Sequence, residues 1–321
     1  MRFKGTALLA AALVAIISYY FLIDLPSEKR KNKEKDRAEK VILFDPENVK
    51  GISFTKGEVT ITLKGLGIDE WQMTAPVNAK GDALAVSEFL SFLSNLNFTR
   101  VVEESSKDLS PFGLDTPGLR IILSMNNGET KGVRVGDDHP MGNKVYLALL
   151  KGSQVLAAGV TKNRLDRSAH DLRDKTILDF KTPLIKKIEF IRNGKTLNLI
   201  KDKESWQVLE NRISAKGNET EITNLLNKIQ AAQIEQFVEE NSKQLTFYGL
   251  NNPKLTVKLT TLKSKEPLTL LVGNKNEHGF YAKTLLKKNV FTIGQSLFDS
   301  LNNREFVHFL NKSLVDFNDN D

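Results

Sequence analysis

At 321 residues, about 40% of them hydrophobic, the chain is long enough to build cores for two domains of ordinary size. It has no cysteine, which excludes disulfide scaffolds, thiolate metal sites and cysteine nucleophiles. The net charge of +7 hints at nucleic acid until it is divided: residues 1–40 hold nine basic and five acidic side chains, leaving only +3 for the rest, so no nucleic-acid partner is expected.

Gly5 to Ile23 runs without a charged residue, and at ~1.5 Å rise per residue a helix of that length spans a bilayer's hydrocarbon. A cleaved secretory signal is the rival reading, but Tyr19-Tyr20-Phe21-Leu22-Ile23 is too bulky for a small-residue cleavage site. The expectation is therefore an uncleaved anchor over residues 1–26 that meets the lipid bilayer through residues 5–23. Seven Lys and Arg follow the span between Lys29 and Lys40 against Arg2 and Lys4 before it, which favours a cytoplasmic body. Long domains are exported largely regardless of such charges, so the residues leave both orientations open. Residues 27–40 alternate in charge and lack aromatic and β-branched side chains, the composition of a solvated linker.

Beyond the linker the chain repeats itself at an offset of about 136 residues. Gly113-Leu114-Asp115-Thr116-Pro117 returns as Gly249-Leu250-Asn251-Asn252-Pro253, Trp71-Gln72 as Trp206-Gln207, Ala79-Lys80-Gly81 as Ala215-Lys216-Gly217, Val102-Glu103-Glu104 as Val238-Glu239-Glu240, and Val135-Gly136 as Val272-Gly273. A collinear series of this kind marks a duplicated domain. The markers Trp71, Gly113, Pro117, Trp206, Gly249 and Pro253 are residues that set cores and turns, so the repeat reads as scaffold.

Each copy opens on a strand meander, with Asn193-Gly194 supplying a hairpin turn in the second. A helix follows, its stripe Val86, Phe89, Leu90, Leu93 after the N-cap Asp82, or Ile222, Leu225, Leu226, Ile229 after Asn218. An edge-like strand, the Gly-Leu element, four further strands and a closing helix (Val160 to Arg167; Gln295 to Asn302) complete each copy. The expected fold class is α+β: an N-terminal transmembrane helix, then two tandem domains, 41–181 and 182–310, with mostly antiparallel sheets and packed helices, and a polar tail 311–321.

Reactive chemistry is sparse. No phosphate loop, nucleophile elbow or dinucleotide fingerprint occurs, and no histidine pair has zinc-ligand spacing, so no catalytic, metal or cofactor-binding residue is assigned. Asp137-Asp138-His139 is the densest polar cluster, the one place for a hydrolase, but Asn274 and Lys275 replace the aspartates in the second copy. Arg173, Asp174 and Lys175 lie at the junction of the copies and are candidates for partner docking or for bracing the joint, with 304–309 as a weaker counterpart.

Trp71, the Val102-Glu103-Glu104 strand, Gly113-Leu114-x-x-Pro117, Val135-Gly136, Tyr146 and the segment Leu172 to Phe180 together resemble the domain-of-unknown-function 4340 family over most of Val41 to Phe309. The second copy departs in its eroded Arg-Asp-Lys segment and in Trp206, which lacks the following proline. The resemblance implies a bacterial inner-membrane protein with a periplasmic body, an auxiliary component of gliding-type ABC export systems whose partner is the transporter permease. It carries no established active site. The expected function is a non-catalytic binding subunit, against which stand a free envelope scaffold and a hydrolase.

Overall fold

The computed structural model describes residues 34–115, 118–203 and 205–311, with 13, 18–20 and 22. Residues 5–23 otherwise lie outside the described part, as do Thr116 and Pro117; among the described residues no helix is long and apolar enough to cross a membrane. Two compact units divide between Asp174 and Lys175.

The first unit contains β1 (Val49–Lys56), β2 (Val59–Gly67), β3 (Glu70–Ala75), β4 (Ala79–Lys80), α1 (Ala83–Ser94), β5 (Phe98–Glu103), β6 (Leu119–Met125), β7 (Thr130–Asp138), β8 (Val145–Leu149), β9 (Val155–Ala158), α2 (Lys162–Leu165) and α3 (Ala169–Leu172). The second has β10 (Ile185–Arg192), β11 (Lys195–Asp202), β12 (Ser205–Glu210), β13 (Ile213–Lys216), α4 (Glu219–Ala231), β14 (Gln236–Glu239), β15 (Leu255–Thr261), β16 (Leu268–Asn276), β17 (Gly279–Thr284), β18 (Val290–Ile293) and α5 (Gln295–Asn302). Each unit forms one nine-stranded sheet of the same order: β4-β3-β2-β1-β6-β7-β8-β9-β5 and β13-β12-β11-β10-β15-β16-β17-β18-β14. Both sheets bulge at the same two places, Val49/Gly51 with Ile185/Lys187 and Val135/Asp138 with Val272/Lys275.

The α+β expectation is corrected by this topology. The fold is mostly β, because all nine strands of a copy join one antiparallel sheet and only a single helix per copy exceeds eight residues. The closing helix expected over Val160 to Arg167 is reduced to the one-turn α2, with a second single turn, α3, beyond it, and two short strands, β4 and β13, extend the sheet edge. A transmembrane helix is likewise no part of the described fold.

The helices α1 and α4 form for the reasons their stripes gave. Asp82 and Asn218 accept the N–H groups of Ala85 and Glu221 at 3.0 and 3.2 Å, holding the first turn, and Asn95 ends α1 by returning its own N–H to Ser91 and Phe92. Val86, Phe89, Leu90 and Leu93 are buried against the first sheet, each side chain adding about 1.5–3 kcal/mol, and Ile222, Leu225, Leu226 and Ile229 do the same in the second. The two tryptophans hold equivalent places: the carbonyls of Trp71 and Trp206 each accept an N–H, from Gly81 and Gly217, at 2.7 Å. A Cβ on either glycine would press on the tryptophan Cβ, at 2.9 and 3.0 Å, so the glycine admits the aromatic there.

Candidate functional site

On the sheet face opposite α1, the Gly-Leu element covers the strands near the far edge. Gly113 and Gly249 end a turn with φ of +65° and +68°, a left-handed conformation that glycine adopts without strain. Each donates its N–H three residues back at 3.0 Å, to Ser110 and Thr246. Leu114 then buries with Ala148 and Val155 in a small outer cluster, joined by Phe112 and Tyr146. Phe112 meets Tyr146 edge-on at 5.1 Å between centroids, and Tyr248 meets Tyr281 in the same way at 4.8 Å. Tyr248 also donates its hydroxyl to Glu239 at 2.8 Å; that hydrogen bond, with a little burial, raises the phenol above its ordinary pKa.

Asp137, Asp138 and His139 stand at the β7 bulge beside this element. The Asp137 carboxylate lies where a Cβ on Gly113 would reach it at 2.6 Å, and its Oδ1 pairs with Lys162 at 3.3 Å. Asp138 Oδ1 accepts the Lys162 N–H at 2.8 Å, at the start of α2. His139 Nδ1 faces the Met141 N–H at 3.1 Å and Nε2 faces the Arg100 guanidinium at 3.2 Å; a neutral imidazole has one acceptor nitrogen, so only one of the two is a hydrogen bond at a time. Asn274 takes the place of Asp137 in the second copy, 2.7 Å from a Cβ on Gly249, with its N–H on the Tyr248 carbonyl. A neutral amide thus fills the same position, so this carboxylate serves the turn. Among the described residues no three His, Asp or Glu side chains converge to hold a metal ion.

The segment Arg173-Asp174-Lys175 is a seam. Arg173 bridges to Gly81 and Asp174 donates its N–H to Lys80 at 2.9 Å, so both close the first sheet; Arg173 is buried, at 8% exposure. Lys175 instead accepts the Ile234 N–H at 2.8 Å, and Thr176 bridges to Gln233. These repeat the lead-in of the first copy, where Lys40 bridges to Asn97 and Glu39 accepts the Phe98 N–H. The structural counterpart of Leu172-Arg173-Asp174 is Phe309-Leu310-Asn311, which pairs with Lys216, Gly217 and Asn218, rather than the segment beginning at Arg304.

The strongest candidate for binding is a groove of about 680 Å³ in the first copy. Ser87, Ser91 and Phe92 of α1, with its C-cap Asn95, form one wall, and Phe98, Thr99 and Gly159 form the other. Sequence reasoning missed it, although Phe92 falls outside the buried stripe of α1; its ring packs against the core beside Phe89 and is only partly covered. In the second copy Lys228 stands where Phe92 does and donates to Ser300 on α5. Glu235 replaces Thr99, its carboxylate 2.9 Å from a Cβ placed on Gly294. The groove of the first copy offers aromatic and aliphatic surface, hydroxyl and amide groups, and the carboxylate of Glu88.

The fold and its site thus define a tandem duplication of one β-rich scaffold, with a surface groove beside α1 of the first copy. The family model Domain of unknown function (DUF4340) matches residues 71–242 and again 206–321, the two matches opening on the two tryptophans. The chain belongs to this family. No curated protein and no solved structure matches it.

Proposed function

We propose that the protein is a non-catalytic binding subunit of an ABC-type export system, held at the bacterial inner membrane with its paired domains in the periplasm. The association with a transporter rests on the family resemblance. The observation that carries a binding role is the groove lined by Phe92, Phe98 and Thr99 in a scaffold whose twin carries Lys228 and Glu235 at the corresponding positions. The carboxylates and histidine of the densest polar cluster already serve a turn, an ion pair and a helix start, which favours binding over hydrolysis.

Copurification of the tagged full chain from crosslinked membranes is expected to bring down permease subunits, and Phe92→Asp is expected to remove them while leaving abundance unchanged. Recovery of the chain alone, across several mild detergents, would overturn the transporter reading. Loss of function in Asp137→Ala at unchanged abundance would revive the hydrolase.

A further inference from the structure

The lead-in end of the second sheet carries a combination of side chains that the same end of the first sheet lacks. Strand directions place the β15–β16 turn (262–267) and the β17–β18 turn (285–289) side by side there: Leu270 pairs with Thr284, and Leu285 donates its N–H to Thr269 at 3.4 Å. Leu262, Leu285 and Leu286 project from these turns at 65%, 66% and 77% exposure. Lys263, Lys265 and Lys288 are exposed beside them, with Glu266 the only acid in either turn, and none of the three enters an ion pair among the described residues.

The turn is held in shape from beneath. Lys283 donates to the carbonyls of Lys287 and Lys288 at 2.6 and 2.8 Å, Thr284 accepts the Lys287 N–H at 3.2 Å, and Lys287 reaches the Thr176 carbonyl. With Lys283 and Lys287 spent as braces, the leucines are presented outward by a fixed backbone. The matching turns of the first copy read Asn126-Asn127-Gly128-Glu129 and Leu150-Lys151-Gly152-Ser153, with one lysine and one glutamate between them.

We propose that this end of the second domain docks on an anionic lipid surface, with Leu262, Leu285 and Leu286 entering the headgroup region and the neighbouring lysines meeting phosphates. Apolar side chains on convex turn tips suit a soft interface, whereas a protein partner needs a matching pocket. Every cation here is lysine, a hydrated point charge suited to headgroups, and none is arginine, the residue that forks onto protein carboxylates. This goes beyond the transporter reading and stands without it.

Because the chain lacks cysteine, Leu286→Cys gives a single attachment point for an environment-sensitive nitrobenzoxadiazole dye in the full-length protein. On phosphatidylcholine vesicles containing about a third phosphatidylglycerol, the dye is expected to shift blue and be quenched by nitroxide lipids, and high salt should reverse both. Lys263→Gln/Lys265→Gln/Lys288→Gln is expected to weaken the transfer by ~5-fold per lysine, roughly 100-fold together. The same dye on Asn127→Cys, in the first copy, should stay in water. A dye at 286 that remains wet on anionic vesicles, as an acidic protein partner would leave it, overturns the proposal; so does equal insertion into pure phosphatidylcholine or by the triple glutamine variant. The readout is the dye's own surroundings, so it is independent of what residues 1–33 do and of any permease.

Discussion

The two copies share backbone and differ in side chains, and the pattern of sharing separates scaffold from specialisation. Gly113 and Gly249, Gly136 and Gly273, the Trp71 and Trp206 carbonyls and both sheet bulges coincide in detail. The outer faces of α1 and α4 and the tips at the lead-in end do not. What persists after duplication is what the fold needs; what has diverged lies on exposed faces and turn tips.

The largest expected effect tests the tryptophans. Trp206 is buried at 3% exposure and Trp71 only partly, so Trp206→Ala should cost ~3–5 kcal/mol in urea denaturation and Trp71→Ala roughly half that. Equal losses would erase this difference between the copies. Gly136→Ala and Gly273→Ala should each cost about 3 kcal/mol, because in both the new Cβ would lie 2.0 Å from a carbonyl oxygen, of Phe112 or Tyr248. A tolerated substitution in one copy alone would break the equivalence.

A smaller effect concerns the end of the first strand of each copy. Arg192 reaches the carbonyls of Asn302 and Arg304, and burial lowers its pKa although Glu210 and Glu305 oppose that. Lys56 does the same task with an ion pair to Asp166 at 2.5 Å, from a side chain 59% exposed. Arg192→Met should therefore cost ~1–3 kcal/mol and Lys56→Met under ~1 kcal/mol, read by chemical denaturation.

Acid should loosen the first copy at a defined point. Burial raises the Asp171 carboxyl, but the Ser168 N–H and hydroxyl, with Arg167 and His170, outweigh it and leave the group below its ordinary value. A depressed acid stabilises the fold above its unfolded pKa of ~3.9 and loses that contribution as pH falls through the folded value. Asp171→Asn should flatten the acid limb of stability against pH. The smallest effect is spectroscopic: Tyr248 should titrate above ~10 in ultraviolet absorbance, and Glu239→Gln should bring it back down.

The two long helices were legible in the sequence because stripe and N-cap lie within a few turns of one another. The sheet was legible only as strands. Its order sends β5, which follows α1 directly, to the far edge beside β9, and no local period records such a partner. Strands β9 and β18 are buried at every residue, so they lack the alternation that marks a strand with one wet face. The groove was illegible for another reason. It depends on bringing Gly159 beside Phe92 and Thr99, about 60 residues earlier in the chain, and on what the second copy places at the corresponding positions.

The seam decides how the molecule can be taken apart. Asp174 is hydrogen-bonded into the first sheet and Lys175 into the second, so no residue is left over as connecting thread. Severing that one peptide bond would leave the bonds from Asp174 to Lys80 and from Ile234 to Lys175 each within one fragment, whereas a break placed after Phe180 would carry off Ile177, Leu178 and Phe180 from the interior that they fill. A gene copied end to end, with nothing spliced between, would leave such a join.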